Sequence, residues 1–171
     1  GPIRIATGDR DLFQLVDEKR DVKVAYLAKG ISNHDLVNHS WIEKKYEIPG
    51  ERYALFAMIR GDASDGLPGI KGIGEKGAAE IAKNYSTMAD LIEAAKAEDS
   101  KLSQNHRKKI LADLDYASVA DRLVQCARDV NLPEIDLSIP NSAKNAKYLE
   151  TMKSDYGLGA SVDRLLSAFN W

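Results

Sequence analysis

Two pairs of aspartates carry the strongest chemical signal in this chain. Asp9 and Asp11 stand two apart at the end of a short β-branched run, Ile3-Arg4-Ile5-Ala6-Thr7. In extended chain, side chains at i and i+2 point the same way, so both carboxylates can converge on one ion. Asp62 and Asp65 are spaced by about one helical turn and lead straight into a glycine-rich stretch. Hard divalent cations such as Mg²⁺ or Mn²⁺ favour oxygen ligands, and four gathered carboxylates would repel one another strongly without a cation. Each pair alone has a plainer reading, with Asp11 as a helix cap and Asp62 as a turn former.

The glycine-rich stretch holds six of the twelve glycines: Gly61, Gly66, Gly69, Gly72, Gly74 and Gly77. Such density means tight turns or close approach of a partner to the main chain. Three phosphate or metal motifs fail here. GIGEKG (72–77) has the spacing of a dinucleotide loop, but Leu67-Pro68-Gly69-Ile70-Lys71 precedes it where a strand is required. A P-loop needs Lys-Ser/Thr after the second glycine, and Gly74 is followed by Glu75-Lys76-Gly77. A calcium loop opening at Asp62 would need a carboxylate where Ile73 stands.

A hairpin between two helices survives. Leu-Pro-Gly-Ile-x-Gly-Ile-Gly-x-Lys-x-Ala (67–78) is the pattern of a helix–hairpin–helix element that binds DNA backbone. Gly72 and Gly74 permit the turn, and Ile73 tucks beneath it as an anchor. The amides from Gly72 onward then face outward at the start of the next helix, where unpaired N–H groups and a partial positive charge suit a phosphate diester. Lys71 and Lys76 flank the turn and add charge. Its carbonyls suit a monovalent cation such as K⁺ that bridges to phosphate. Contacts of this kind are blind to base sequence. The plainer alternative is a helical corner whose glycines serve geometry alone.

The elements that must position these groups follow from pattern. The run 3–7 reads as a buried strand, Asp11 as the cap of a brief helix through Val16, and Val22–Tyr26 as a half-buried strand. This opening is the tail of an α/β, mainly parallel sheet. Beyond residue 32 the pattern is helical. Ser40-Trp41-Ile42-Glu43 reads as a capping box, with weaker ones at Thr87–Asp90 and Ser118–Asp121. Leu55, Phe56, Met58 and Ile59 form an apolar stripe, and the helix after the hairpin carries Ala78, Ile81, Ala82 and Tyr85. Residues 94–103 read as a mobile loop, Pro133 and Pro140 bound an extended connector, and two helices close the chain. Three segments are expected: α/β strands over 1–35, a helix–hairpin–helix domain over 36–130, and closing helices over 131–171.

With 171 residues, 44% hydrophobic and 29% charged, the chain can bury a real core. Its net charge of −2 decides nothing about nucleic acid, whereas charge distribution does. Lys101 to Ile110 holds Lys101, Arg107, Lys108 and Lys109 with no acid, and Arg107, Lys108 and Lys109 are candidate phosphate contacts or an ordinary solvated face. The single Cys126 reads as a small buried apolar residue and fits a reducing, cytoplasmic setting. No run is long enough to span a membrane. His34, His39 and His106 share no zinc spacing, and no nucleophile motif occurs. Trp41 with Tyr46, and Phe56 with Met58, read as core. Gly1-Pro2 resembles a tag remnant, so the chain is expected to be a fragment of a longer protein.

Thr7-Gly8-Asp9-Arg10-Asp11-Leu12-Phe13-Gln14-Leu15, then Gly61-Asp62-Ala63-Ser64-Asp65-Gly66-Leu67-Pro68-Gly69-Ile70-Lys71-Gly72-Ile73-Gly74-Glu75-Lys76, resemble the bacterial flap endonuclease family. That family includes the 5′-nuclease domain of bacterial DNA polymerase I. The resemblance covers nearly the whole chain but only the C-terminal half or so of the family's nuclease. It implies a two-metal phosphodiesterase, a helix-3-turn-helix grip on duplex or flap DNA or an RNA–DNA hybrid, a monomer, and a bacterial nucleoid setting. Asp9, Asp11, Asp62 and Asp65 would then serve the second of two Mg²⁺ or Mn²⁺ sites. Gly66 departs from the asparagine common in the family. The family's first-strand aspartate, further acidic cluster and basic helical arch precede the stretch matched here. The chain alone is therefore expected to lack efficient cleavage, and a purely DNA-binding module is the alternative reading.

Overall fold

The fold was obtained as a computed structural model, which describes residues 1–136, 138 and 141–170. Its contacts divide the chain into two compact units, Gly1–Arg128 and Asp129–Trp171. Strands 1–35 and the helices after them share the first unit, because Phe13 packs on Trp41 and Tyr53 with ring centroids 5.5 and 5.2 Å apart.

In that unit β1 (Ile3–Thr7) pairs in parallel with β2 (Val22–Tyr26), and β2 pairs antiparallel with β3 (Asp35–Val37). Two expectations change here. β3 falls where the pattern read as helix, and its three residues are too short to show alternation. β1 is the sheet's edge rather than a buried strand, and Ile3 is 50% exposed. Apolar composition says what a strand is made of, not what covers it. A 3-10 turn over Asp11–Leu15 joins β1 to β2 and is opened by Asp9, whose Oδ1 accepts from the Asp11 amide at 2.8 Å, rather than by Asp11.

Helix α1 (His39–Tyr46) is capped by Asn38, which accepts from the Trp41 amide, and not by Ser40. A start at 39 turns Ile42 and Tyr46, four apart, into the core, and that register wins over the Ser40 box. α2 (Tyr53–Arg60) is buried along most of its length. Tyr53 is its hub, fully buried between Phe13, Tyr46 and Phe56.

α3 (Glu75–Ala82) packs on α2, and its last carbonyls, Ala82 and Lys83, accept from the Arg52 guanidinium at 3.0 and 2.7 Å. α4 (Met88–Ala97) begins at Thr87, whose hydroxyl accepts from the Asp90 amide as expected. α5 (Gln104–Ala112) and α6 (Leu114–Val124) follow. Ser118 lies inside α6 and caps nothing; its hydroxyl donates to the Asp115 carbonyl. The segment read as a mobile loop begins inside a helix, with Ala94 and Ala95 buried in α4 and Leu102 buried beyond it. Cys126 lies past the end of α6 and is half-buried, and burial pushes its thiol pKa up.

In the second unit Asn145 caps α7 (Ala146–Asp155), and α8 (Gly159–Phe169) packs on it, with Val162 buried and Lys153 paired to Asp163 at 2.9 Å. Pro133 lies in irregular chain, and Pro140 lies outside the described residues. Among the described residues no helix is long and apolar enough to cross a membrane.

Candidate active site and phosphate-facing turn

The two aspartate pairs meet at the C-terminal end of β1. Gly8, Asp9, Arg10, Tyr26, Asp62, Ser64 and Asp65 line an open cleft of about 360 Å³. Thr7 and Asp9 turn the chain out of the strand: Thr7 Oγ1 accepts from the Asp9 amide at 3.0 Å, and Asp9 then accepts from Asp11. Asp11 stands behind the cleft, half-buried. Burial, with the charges of Asp9, Asp65 and Asp62, pushes its carboxyl pKa up from the ordinary value, and Arg60 opposes the rise. Asp11 therefore feels the charge of the other three carboxylates, which the fold and not the spacing brings near it.

The second pair sits on a closed loop. Asp62 and Leu67 exchange backbone hydrogen bonds of 3.0 and 2.9 Å, and Gly66 closes the turn at φ +71°. Asp62 is tightly held, with its side chain only 11% exposed. One oxygen accepts from the Ser64 hydroxyl and amide at 2.5 and 3.0 Å, and the other accepts from Arg10 at 2.7 Å with Arg60 3.6 Å away. The Ser64 hydroxyl, its amide and the two guanidinium groups hold the Asp62 carboxyl below the usual carboxylate range.

These side chains fit a divalent cation only in part. Their mutual repulsion and oxygen donors suit one. Yet among the described residues no three carboxylate, histidine or cysteine side chains lie close enough together to hold an ion, and Arg10 already engages Asp62. Arg10, Arg60 and Ser64 were not singled out from sequence; the only local signal was Arg10's place between Asp9 and Asp11.

Directly after the acidic loop the chain doubles back. The Ile70 amide donates to the Ile59 carbonyl at 2.9 Å, so the strand-like return lies along the end of α2. Gly69 and Gly72 take φ of +66° and +80°, Ile73 is buried beneath the turn, and Gly74 opens α3 without a capping side chain. Gly74 itself needs no positive φ. First-turn amides of a helix have no acceptor within it, so those of Glu75, Lys76 and Gly77 need partners from outside α3.

The candidate cations divide. Lys71, Lys76 and Lys108 are exposed. Arg107 turns inward, donating to the Ala95 carbonyl at 2.7 Å and pairing with Glu98 at 2.8 Å, which caps the end of α4. Lys109 donates to the Gly72 carbonyl at 2.8 Å, so an ammonium occupies an acceptor that was read as available to K⁺. Of the histidines, His34 and His39 bond the Ile31 and Val16 carbonyls, while His106 lies against Gly77.

The small mixed sheet and the helices that follow it match the fold of a 5′-exonuclease. The family description "5'-3' exonuclease, C-terminal SAM fold" matches residues 48–146. The chain belongs to the 5′-3′ exonuclease family. It is 41% identical to a 5′-3′ exonuclease of Streptomyces coelicolor over 98% of this chain and 56% of that protein. A 5′-3′ exonuclease of Mycobacterium tuberculosis is 33% identical over 99% of this chain and 55% of its own length. The thermostable DNA polymerase I of Thermus thermophilus is 37% identical over 80% of this chain and 15% of the polymerase. The chain thus spans about half the length of the exonucleases it matches. Among solved structures, T5 5′-exonuclease with divalent metal ions (zinc) bound superposes with a TM-score of 0.58 at 17% identity, covering 72% of this chain and 42% of that one.

Proposed function

We propose that the chain is the duplex-gripping, carboxylate-bearing part of a 5′-3′ exonuclease and flap endonuclease. One observation carries this reading: the loop that presents Asp62 and Asp65 runs without interruption into the glycine turn that opens α3. A phosphate held by the turn is then delivered beside the carboxylates. The turn's outward amides, with Lys71, Lys76 and Lys108, contact phosphates of duplex or flap DNA without reading bases. Ile73 contributes from below as the anchor and touches no DNA. Asp9, Asp11, Asp62 and Asp65 are the groups this chain supplies to the site of the longer proteins in the family. The hydrolytic step, with Mg²⁺ or Mn²⁺, belongs to those longer proteins.

The test is a 5′-flap substrate with Mg²⁺ or Mn²⁺, with binding followed across a salt series. Steeply salt-dependent duplex binding with little cutting is the expected result. Robust cutting that Asp62→Ala abolishes would overturn the incompleteness of the site. Failure to bind duplex at low salt would overturn the grip. A second reading, a non-catalytic duplex-binding module, is favoured by the engagement of Asp62 with Arg10, Arg60 and Ser64. Joining the chain to the N-terminal half of a relative distinguishes the two, since only the nuclease reading expects cutting that depends on Asp62.

A further inference from the structure

Lys109 reads from sequence as a cation for DNA, yet the structure turns it toward its own chain. Its ammonium donates to the Gly72 carbonyl at 2.8 Å, and a side chain placed at Gly72 would meet the Lys109 Cε at 3.4 Å. The lysine stem therefore lies across the turn. One residue before that turn, the Lys71 amide donates to Asp113 Oδ2 at 2.8 Å. Lys109 lies in the last turn of α5 and Asp113 is the residue that ends it, and both reach the hairpin from one face. His106, a turn earlier on that face, sits against Gly77 in the first turn of α3. Three positions along one side of α5 thus oppose three positions of the hairpin. A carboxylate at Asp113 also makes little sense beside polyanionic DNA unless its work is internal. Its bond to the Lys71 amide supplies that work and removes this amide from the set open to phosphate.

We propose that Lys109 and Asp113 are positioning residues that clamp the glycine turn from α5. The ammonium fixes the Gly72 carbonyl, the carboxylate fixes the Lys71 amide, and together they orient the α3 amides that face phosphate. The clamp rests on the functional reading above only for its consequence, duplex affinity; the clamp itself is a property of the free chain.

The two parts are tested separately on the full chain. Duplex affinity is measured across a salt series for Lys109→Met, Lys109→Arg and Asp113→Ala, with Lys108→Ala for contrast. Amide hydrogen exchange of Lys71 and Ile73 is read in the free proteins. Lys109→Met is expected to weaken binding about tenfold with an unchanged salt slope, and Lys109→Arg to restore most of it. Lys108→Ala is expected to lower the slope by about one, as loss of a phosphate contact does. In Asp113→Ala the Lys71 amide exchanges faster, while the thermal midpoint shows the protein still folded. A lowered slope in Lys109→Met would make it a phosphate contact and overturn the proposal. Unchanged exchange at Lys71 and Ile73 in both variants would overturn it as well. If the unaltered chain binds no duplex, the functional reading fails, and exchange alone still decides the clamp.

Discussion

A single carboxylate can do local work that outweighs its exposure, and Asp99 is an example. It accepts from the Lys101 amide at 2.9 Å and from the Tyr85 hydroxyl at 3.1 Å, tying the connection between α3 and α4 to the turn after α4. The Lys101 amide, then Tyr85, holds its carboxyl below the usual value. Burial, then Asp99, pushes the Tyr85 hydroxyl up to about 12. The signs differ at the two ends of the pH scale. Asp99's contribution is present above the unfolded carboxylate pKa and is lost as pH falls through its lowered folded value. Tyr85's is full below the unfolded phenol pKa and is lost as pH rises through the raised one. Asp99→Asn should therefore lower the thermal midpoint at neutral pH and flatten the acid limb below about pH 4. Tyr85→Phe should flatten the alkaline limb above about pH 10. Melts followed by circular dichroism across pH check both, and unchanged limbs would remove these groups from the pH response.

At the scale of elements, the acidic loop and the hairpin depend on two glycines that face each other. A Cβ on Gly69 would lie 2.6 Å from the Arg60 carbonyl carbon and oxygen, and one on Gly61 would lie 2.5 Å from the Gly69 nitrogen. Gly66 also has positive φ, but nothing lies within 4 Å of its Cβ position. Gly66→Ala should therefore cost only the left-handed backbone penalty, about 1 kcal/mol. Gly69→Ala adds a backbone clash and should cost more than roughly 2 kcal/mol. Urea unfolding of both variants measures the difference, and equal losses would show that the close approach is not decisive. Ile73→Ala removes the buried anchor and should cost about 2–5 kcal/mol while also weakening duplex binding. Wild-type stability in that variant would mean that the turn holds itself.

At the scale of the molecule, the chain divides into two compact units. The first contains the cleft, the turn and the α5 face behind it, and it has its own aromatic core around Tyr53. A chain ending at Arg128 should therefore melt in one cooperative step, within a few degrees of the same transition in the full chain. Calorimetry of both forms checks this, and loss of cooperativity on truncation would show that the first unit depends on the second.

Much of this protein was legible in its sequence where a residue's own conformational limits decide the outcome. Glycine and proline at 61–74 specify a tight hairpin, because few other residues tolerate the backbone of Gly69 and Gly72. Thr87 caps α4 by bonding only its near neighbours, and the apolar stripe of α2 needs only its own period. What sequence could not settle was any choice made by something across the fold. Asn38 and Ser40 are both sound caps, and burial of Ile42 and Tyr46 selects the first. Asp62 meets Arg10 across fifty-two residues, which turns a candidate metal ligand into one side of an ion pair. Arg107, Lys108 and Lys109 are neighbours of like charge, yet two turn inward and one faces out. A long cationic side chain carries no preference of its own for phosphate or for a carbonyl. The acceptors that tertiary packing sets within reach, at Ala95 and Gly72, made that choice.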